Sequence, residues 1–145
     1  MTELPIVKSF KDAQGIEITY YEWPVSKPRA VVQLVHGLGE HANRYTEVIT
    51  LLNRAGFSVY ANDHRGHGRT GKQMLAEGKI KKMGNCGPGG MAAIYAAEWQ
   101  FSELVKRENP GVKHILMGQS WGSFISQHVL NSHPNAFDAV VLTGT

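Results

Sequence analysis

Val112-Lys113-His114-Ile115-Leu116-Met117-Gly118-Gln119-Ser120-Trp121-Gly122-Ser123-Phe124-Ile125 is the stretch on which the fold turns. Its first half, residues 112–117, is a short apolar run of strand type. Its second half opens a segment, residues 121–131, in which Trp121, Phe124, Ile125 and Val129 recur at the spacing of one helix face. Between them stands Gly118-Gln119-Ser120-Trp121-Gly122. By composition alone a G-x-S-x-G arises by chance in about one chain in ten of this length. The context carries the information. A strand that runs straight into a serine, with a helix leaving straight from it, lifts the hydroxyl out of the sheet edge in a tight turn. Gly118 and Gly122 remove side chains that would keep strand and helix apart, and the helix N-terminus favours negative charge developing nearby. Ser120 is thus a candidate nucleophile. The plainer alternative is a serine that only caps the helix.

Working outward, the same grammar repeats. Residues 4–10 read as a strand, 11–15 as a turn, and 16–23, rich in β-branched and aromatic residues, as the returning arm of a hairpin. Residues 30–35 (Ala-Val-Val-Gln-Leu-Val) form a nearly continuous apolar run of the kind buried on both faces of a sheet. Residues 44–55 read as a helix with Tyr45, Val48, Ile49, Leu52 and Ala55 on its apolar face, and Gly56 stands where it should stop. Residues 57–61 make another buried strand. A loop-rich stretch follows, with a short helix expected near 73–82, then a helix over 91–107 stopped at Asn109-Pro110-Gly111. Beyond the opening stretch, residues 137–142 give a last strand. A hairpin followed by alternating strands and helices predicts an α/β fold with a mainly parallel sheet flanked by helices, read as one domain over residues 1–145.

Two further glycine motifs compete for the function. Gly37-Leu38-Gly39-Glu40-His41-Ala42 follows a strand and fits the dinucleotide fingerprint, with Asp63 near the distance of a ribose contact. Glu40 weighs against it, since a carboxylate in that loop would repel a pyrophosphate. So does the preceding hairpin. Gly66-His67-Gly68-Arg69-Thr70-Gly71-Lys72-Gln73 is one residue short of a phosphate-binding loop. The hydroxyl that would hold Mg²⁺ is replaced by Gln73, and no good amphipathic helix is expected after it.

Composition narrows the class. The chain has 145 residues with 42% hydrophobic and 19% charged, which suits a globular domain rather than a disordered one. A formal charge of +3 is small and scattered, and the basic run Lys79 to Lys82 has no interleaved aromatics, so no nucleic-acid partner is expected. One cysteine, Cys86, excludes an internal disulfide framework. The start Met1-Thr2-Glu3-Leu4-Pro5 lacks the pattern of a secretory signal, and no apolar run approaches the ~18 residues of a membrane span. A cytoplasmic location is the expectation, with peripheral membrane contact kept as an alternative.

His36-Gly37-Leu38-Gly39-Glu40-His41, Asp63-His64-Arg65-Gly66-His67-Gly68 and Gly118-Gln119-Ser120-Trp121-Gly122-Ser123 stand in the order and spacing of α/β-hydrolases. The chain resembles the branch of monoacylglycerol lipases and lysophospholipases, from the first hairpin to the last strand. The resemblance implies that Ser120 is the nucleophile of a serine hydrolase cleaving small acyl esters. It implies an oxyanion hole formed by the backbone N–H groups of Leu38 and Trp121, with His36, Gly37, Gly39, Gly118 and Gly122 as its supporting loops. It implies no cofactor and no metal, although His36, His41, Asp63, His64 and His67 cluster in sequence. Gln119 and Trp121 depart from the branch, where His and Met flank the nucleophile. Ser-Trp-Gly-Ser is similar to the elbow of proline iminopeptidases, whose oxyanion loop is different.

In such folds the triad runs Ser, then Asp or Glu, then His. After Ser120 this chain offers only His128, His133 and Asp138. His128 is eight residues along the same helix, about 12 Å at 1.5 Å per residue. The expectation is therefore an N-terminal portion, ending after about the sixth strand, with the cap, further strands, acid and histidine outside it. Its last strand would be a bare apolar edge that pairs with the remainder of the chain or with another copy. Amide hydrolysis of the iminopeptidase kind, and a non-catalytic module binding through that edge, are the alternative readings.

Overall fold

The computed structural model describes residues 4–145. The first three residues of the N-terminal reading lie outside them. Six strands form one mixed sheet: β1 (Ile6–Lys11), β2 (Glu17–Trp23), β3 (Ala30–Val35), β4 (Phe57–Asn62), β5 (His114–Gln119) and β6 (Ala139–Thr143), in the order β1-β2-β4-β3-β5-β6. The hairpin β1–β2 runs antiparallel and joins β4 antiparallel, whereas β4, β3, β5 and β6 are mutually parallel. Four helices connect them: α1 (Thr46–Arg54), α2 (Gly68–Ala76), α3 (Gly90–Glu108) and α4 (Trp121–Ser132).

The alternation of β3 explains the layering. Val32 and Leu34 pack with Trp23, Val59, Ala61 and Ile49 of α1 on one face. Val31 packs with Phe101 and Val105 of α3, and Val35 with Ile94 of α3 and Ile125 of α4, on the other. Each such side chain withdrawn from water contributes about 1.5–3 kcal/mol before entropy is counted. The connection β3–α1–β4 leads to one side of β3, and β4 to β5 crosses back to the other. The C-terminal ends of β3 and β5 therefore diverge at a topological switch point, where open α/β sheets place their ligands.

Four local readings need correcting. The short helix is α2, starting at Gly68 rather than near residue 73, so a helix does arise from the glycine-rich motif. Its cap is not at the N-cap position but comes from Asp63, whose Oδ2 accepts the Arg69 N–H at 2.9 Å. Val48 is 40% exposed and Ala55 is exposed, so α1 buries a narrower stripe of Ile49 flanked by Tyr45 and Leu52. β5 extends two residues further, because its ladder with β3 continues to the Val35–Gly118 pair and its ladder with β6 to Gln119–Thr143. β6 correspondingly begins at Ala139. Phe137 lies against the His114 ring, and Asp138 Oδ2 accepts the His114 N–H at 2.8 Å.

The strand–helix closure rests on glycine. A Cβ on Gly122 would stand 2.7 Å from the His36 carbonyl oxygen and closer still to that of Val35. Both obstacles are backbone and cannot yield. Gly122→Ala should therefore cost about 3 kcal/mol or more, read as a lowered midpoint in denaturant with unchanged slope. A substitution tolerated within ~0.5 kcal/mol would mean that α4 does not close on β3 as described.

Candidate active site

Three parallel strands deliver three turns to one end of the sheet. β3 leads to His36, β4 to Asp63 and β5 to Ser120. Ser120 has φ 54° and ψ −123°, a conformation that L-residues avoid and that costs of order 1–3 kcal/mol. It is held there by its own backbone: Ser120 N–H donates to Thr143 O at 2.8 Å, and Ser120 O accepts from both the N–H and the hydroxyl of Ser123, at 2.8 and 2.7 Å. The residue is half-buried, and no side-chain hydrogen bond among the described residues occupies its hydroxyl. A Cβ on Gly118 would meet the Gly122 carbonyl oxygen at 2.6 Å, so both glycines of the motif are required for the turn.

The loop after β3 is braced from several sides. Glu40 Oε1 accepts the Gly37 N–H at 2.8 Å and also the Tyr45 hydroxyl. That hydroxyl also lies 2.9 Å from Gln119 Oε1 at the end of β5, a second acceptor competing for its single hydrogen. Burial together with the Glu40 charge pushes the Tyr45 phenol well above its ordinary range, so it remains a donor. Gly39 turns the loop with φ 74°, and Leu38 projects into solvent, 67% exposed. With Gly37 N–H taken by Glu40, the N–H groups of Leu38 and Trp121 bond nothing among the described residues.

His36 is fully buried and committed at both ring nitrogens. Nε2 accepts the His64 N–H at 3.1 Å, which leaves Nδ1 as the protonated nitrogen donating to Gly37 O at 2.8 Å. Burial lowers its pKa to about 4. The ring is a neutral strut. His64 lies 4.0 Å from it, centroid to centroid, and the Trp121 indole packs against the rings of His64 and His67 at 5.3 and 5.2 Å.

Asp63 is equally absorbed. Its carboxylate accepts the Tyr21 hydroxyl and the N–H groups of Ala42 and Arg69 at 2.8, 3.0 and 2.9 Å. It thereby fills the anion position at the start of α2 from within. This is why the glycine-rich motif there offers no vacant phosphate cradle. A Cβ on Gly68 would collide with that carboxyl group. Among the described residues no group of His, Cys, Asp and Glu is arranged to hold a metal ion, the five clustered in sequence included.

The residues after Ser120 lie elsewhere. His128 stacks on Tyr95 at 3.8 Å and His133 on Trp99 at 3.5 Å, both against α3. Sequence reasoning overlooked three contributors to the site. Tyr45 read as core, and nothing in spacing links it to Gln119, 74 positions on. Arg65, fully buried, pairs with Asp12 of the β1–β2 turn. Glu98, at the centre of α3, lies fully buried with its carboxyl group 3.7 Å from the His64 ring.

The family model described as "Serine aminopeptidase, S33" matches residues 26–145. A monoacylglycerol lipase of Mycolicibacterium smegmatis is 34% identical over 140 residues, 94% of this chain and 45% of its own. The crystal structure of a thermostable carboxyl esterase from Bacillus coagulans, in complex with glycerol, superposes at a TM-score of 0.85 with 32% identity, covering 99% of this chain and 45% of that one. A soluble variant of monoglyceride lipase from Saccharomyces cerevisiae shares the fold at a TM-score of 0.73 and 20% identity, over 98% and 44% of the two chains. The chain thus spans less than half the length of these relatives. No helix among the described residues is long and apolar enough to cross a membrane.

Proposed function

This chain belongs to the serine aminopeptidase S33 family of α/β-hydrolases, and on that premise we propose that it supplies the nucleophile and oxyanion half of a serine hydrolase for carboxylic esters such as monoacylglycerols or lysophospholipids. The observation that carries the reading is Ser120 itself. It is a non-glycine residue kept at positive φ in the turn between β5 and α4, with its hydroxyl unoccupied and two unpartnered backbone N–H groups in the adjoining turns. Strain of that kind clusters at active sites, although the exposed turn at Lys27 holds a positive φ as well.

The chemistry follows from the groups present. Ser120 Oγ attacks the ester carbonyl carbon, and the carbonyl oxygen becomes an oxyanion that accepts from Leu38 N–H and Trp121 N–H. The first turn of α4 directs its positive end at the same place. Collapse expels the alcohol and leaves an acyl-serine, which water then cleaves. The proton from Ser120 needs a base, which in this reading comes with its orienting acid from a C-terminal segment outside the chain. That segment would also cover β6, whose Val140, Val141 and Leu142 are 37%, 41% and 36% exposed. Without it, a second copy is the occupant that the bare edge would recruit. The domain so completed needs no metal or cofactor for this step.

Amide hydrolysis is the second reading, favoured by the family's description and by the Ser-Trp-Gly-Ser elbow. A matched pair of substrates separates the two. The completed enzyme should hydrolyse a long-chain monoacylglycerol at least ~100-fold faster, in kcat/KM, than an N-terminal proline amide, a difference of about 2.7 kcal/mol. The reverse ranking would assign the enzyme to peptides.

A further inference from the structure

Beneath the candidate site a buried polar relay crosses the sheet. His114 of β5 donates through Nε2 to Gln33 Oε1 of β3 at 2.9 Å, and Gln33 Nε2 donates to Glu98 Oε1 at 2.7 Å. The other carboxyl oxygen, Glu98 Oε2, has no hydrogen-bond partner among the described residues and stands 3.7 Å from His64 Nδ1. Glu98 is 0% and His64 3% exposed.

The hydrogen bonds around His64 fix its tautomer. Its Nε2 faces the backbone carbonyl of His36 at 3.1 Å, an acceptor only, so Nε2 carries the hydrogen. Nδ1 then presents a lone pair to Glu98 Oε2. A carboxylate oxygen facing a lone pair in a dry interior is repulsive and unsolvated, and a buried ion without a partner is among the costliest arrangements a fold can hold. A hydrogen on Oε2, directed at Nδ1 across 3.7 Å, replaces the repulsion with an attraction longer than a hydrogen bond.

We propose that Glu98 is a neutral carboxylic acid whose Oε2–H faces His64 Nδ1, and that this proton holds His64 in the tautomer that latches the His36–Gly37 turn. The latch is double: His64 N–H donates to His36 Nε2 and His64 Nε2–H to His36 O. Glu98 is on this view a positioning residue for the loop that carries Leu38. The last step rests on Leu38 being an oxyanion donor; the protonation does not.

The surroundings agree. Burial pushes the Glu98 carboxyl up to about 7, with the Gln33 and Asn62 amides pulling the other way. Burial drives His64 well below its ordinary value, and the neighbouring rings of His36 and His67 add to this. The titratable groups facing the pair are these two histidines and, through Gln33, His114, whose pKa burial lowers to about 4. With His36 lowered by burial to about 4 as well, neither it nor His114 supplies a positive charge near neutrality. A carboxyl group whose pKa is raised on folding contributes stability that is complete below its unfolded pKa of about 4.5 and is lost as pH rises through about 7.

The test compares the chain with Glu98→Gln, an isosteric neutral group. The chain should show the infrared carbonyl band of a protonated carboxylic acid at pH 6, absent from the variant. The ¹⁵N shifts of His64 should be those of a neutral ring with its hydrogen on Nε2. Between pH 5 and 8 the chain's melting temperature should fall relative to that of Glu98→Gln. An ionised Glu98 with an imidazolium at His64 would overturn the proposal. So would a Glu98→Gln chain that fails to fold, since a neutral amide should suit a site built for a neutral acid. These readings need no substrate, so they stand or fall apart from the esterase assignment.

Discussion

Ser120→Ala should lower ester turnover by the completed enzyme on the order of 10⁶-fold, with its fold and melting temperature unchanged. The size of the loss follows from what the hydroxyl does. Removing the nucleophile of a serine hydrolase leaves only binding and oxyanion stabilisation, which in subtilisin retain ~10³–10⁴ over water out of a rate some 10⁶ higher. The preserved fold follows from the backbone. The Ser120 hydroxyl makes no bond among the described residues, while its N–H and C=O anchor the turn to Thr143 and Ser123. Alanine keeps the Cβ, and with it the cost of φ 54°. Ser120→Gly supplies the control. It should be equally inactive but more stable by roughly 1 kcal/mol, because glycine adopts positive φ without strain. Near-normal hydrolysis by either variant would remove Ser120 from the mechanism.

The chain on its own should hydrolyse nitrophenyl butyrate on the order of 10⁶-fold more slowly than the completed enzyme, and a separately produced C-terminal segment should restore the rate. Each of its seven histidines is accounted for. His36 has both ring nitrogens engaged, His64 is fully buried, and His67 gives Nδ1 to Arg65 O. His114 begins β5, about 17 Å from its far end at ~3.3 Å per residue. His128 and His133 are stacked on α3 aromatics. His41 lines a cavity of about 450 Å³ with Arg69 and Lys72, whose lining includes neither Ser120 nor Trp121. With no histidine hydrogen-bonded to its hydroxyl among the described residues, Ser120 keeps an alcohol's weak nucleophilicity. Fast turnover by the chain alone, lost on Ser120→Ala, would make one of these histidines the base, with His41 and His36 the first to replace.

The parts of the fold legible in the sequence are those governed by short-range pattern. The hairpin, the buried runs and the strand–serine–helix order follow from period and punctuation, because side-chain alternation and helical spacing act over a few residues. Gly122 could be assigned a close approach for the same reason, since a glycine just after a strand-to-helix turn has little else to do. What stayed hidden depends on pairing across the sheet. The two extra residues of β5 exist because β3 and β6 continue beside them, and the start of α2 is set by a carboxylate five positions upstream of Gly68 that tertiary structure folds back. Tyr45, Arg65 and Glu98 act on partners brought near by the fold alone. A buried ion pair such as Arg65–Asp12, 53 positions apart, leaves no periodic trace.

The most direct test of the central claim is to catch the acyl intermediate. The completed enzyme, mixed with a nitrophenyl ester and quenched in acid within the first turnovers, should carry one acyl group. Peptide mass mapping should place it on Ser120. An acyl group found on another residue, or steady hydrolysis with no acylated peptide under conditions where deacylation is slow, would contradict the account.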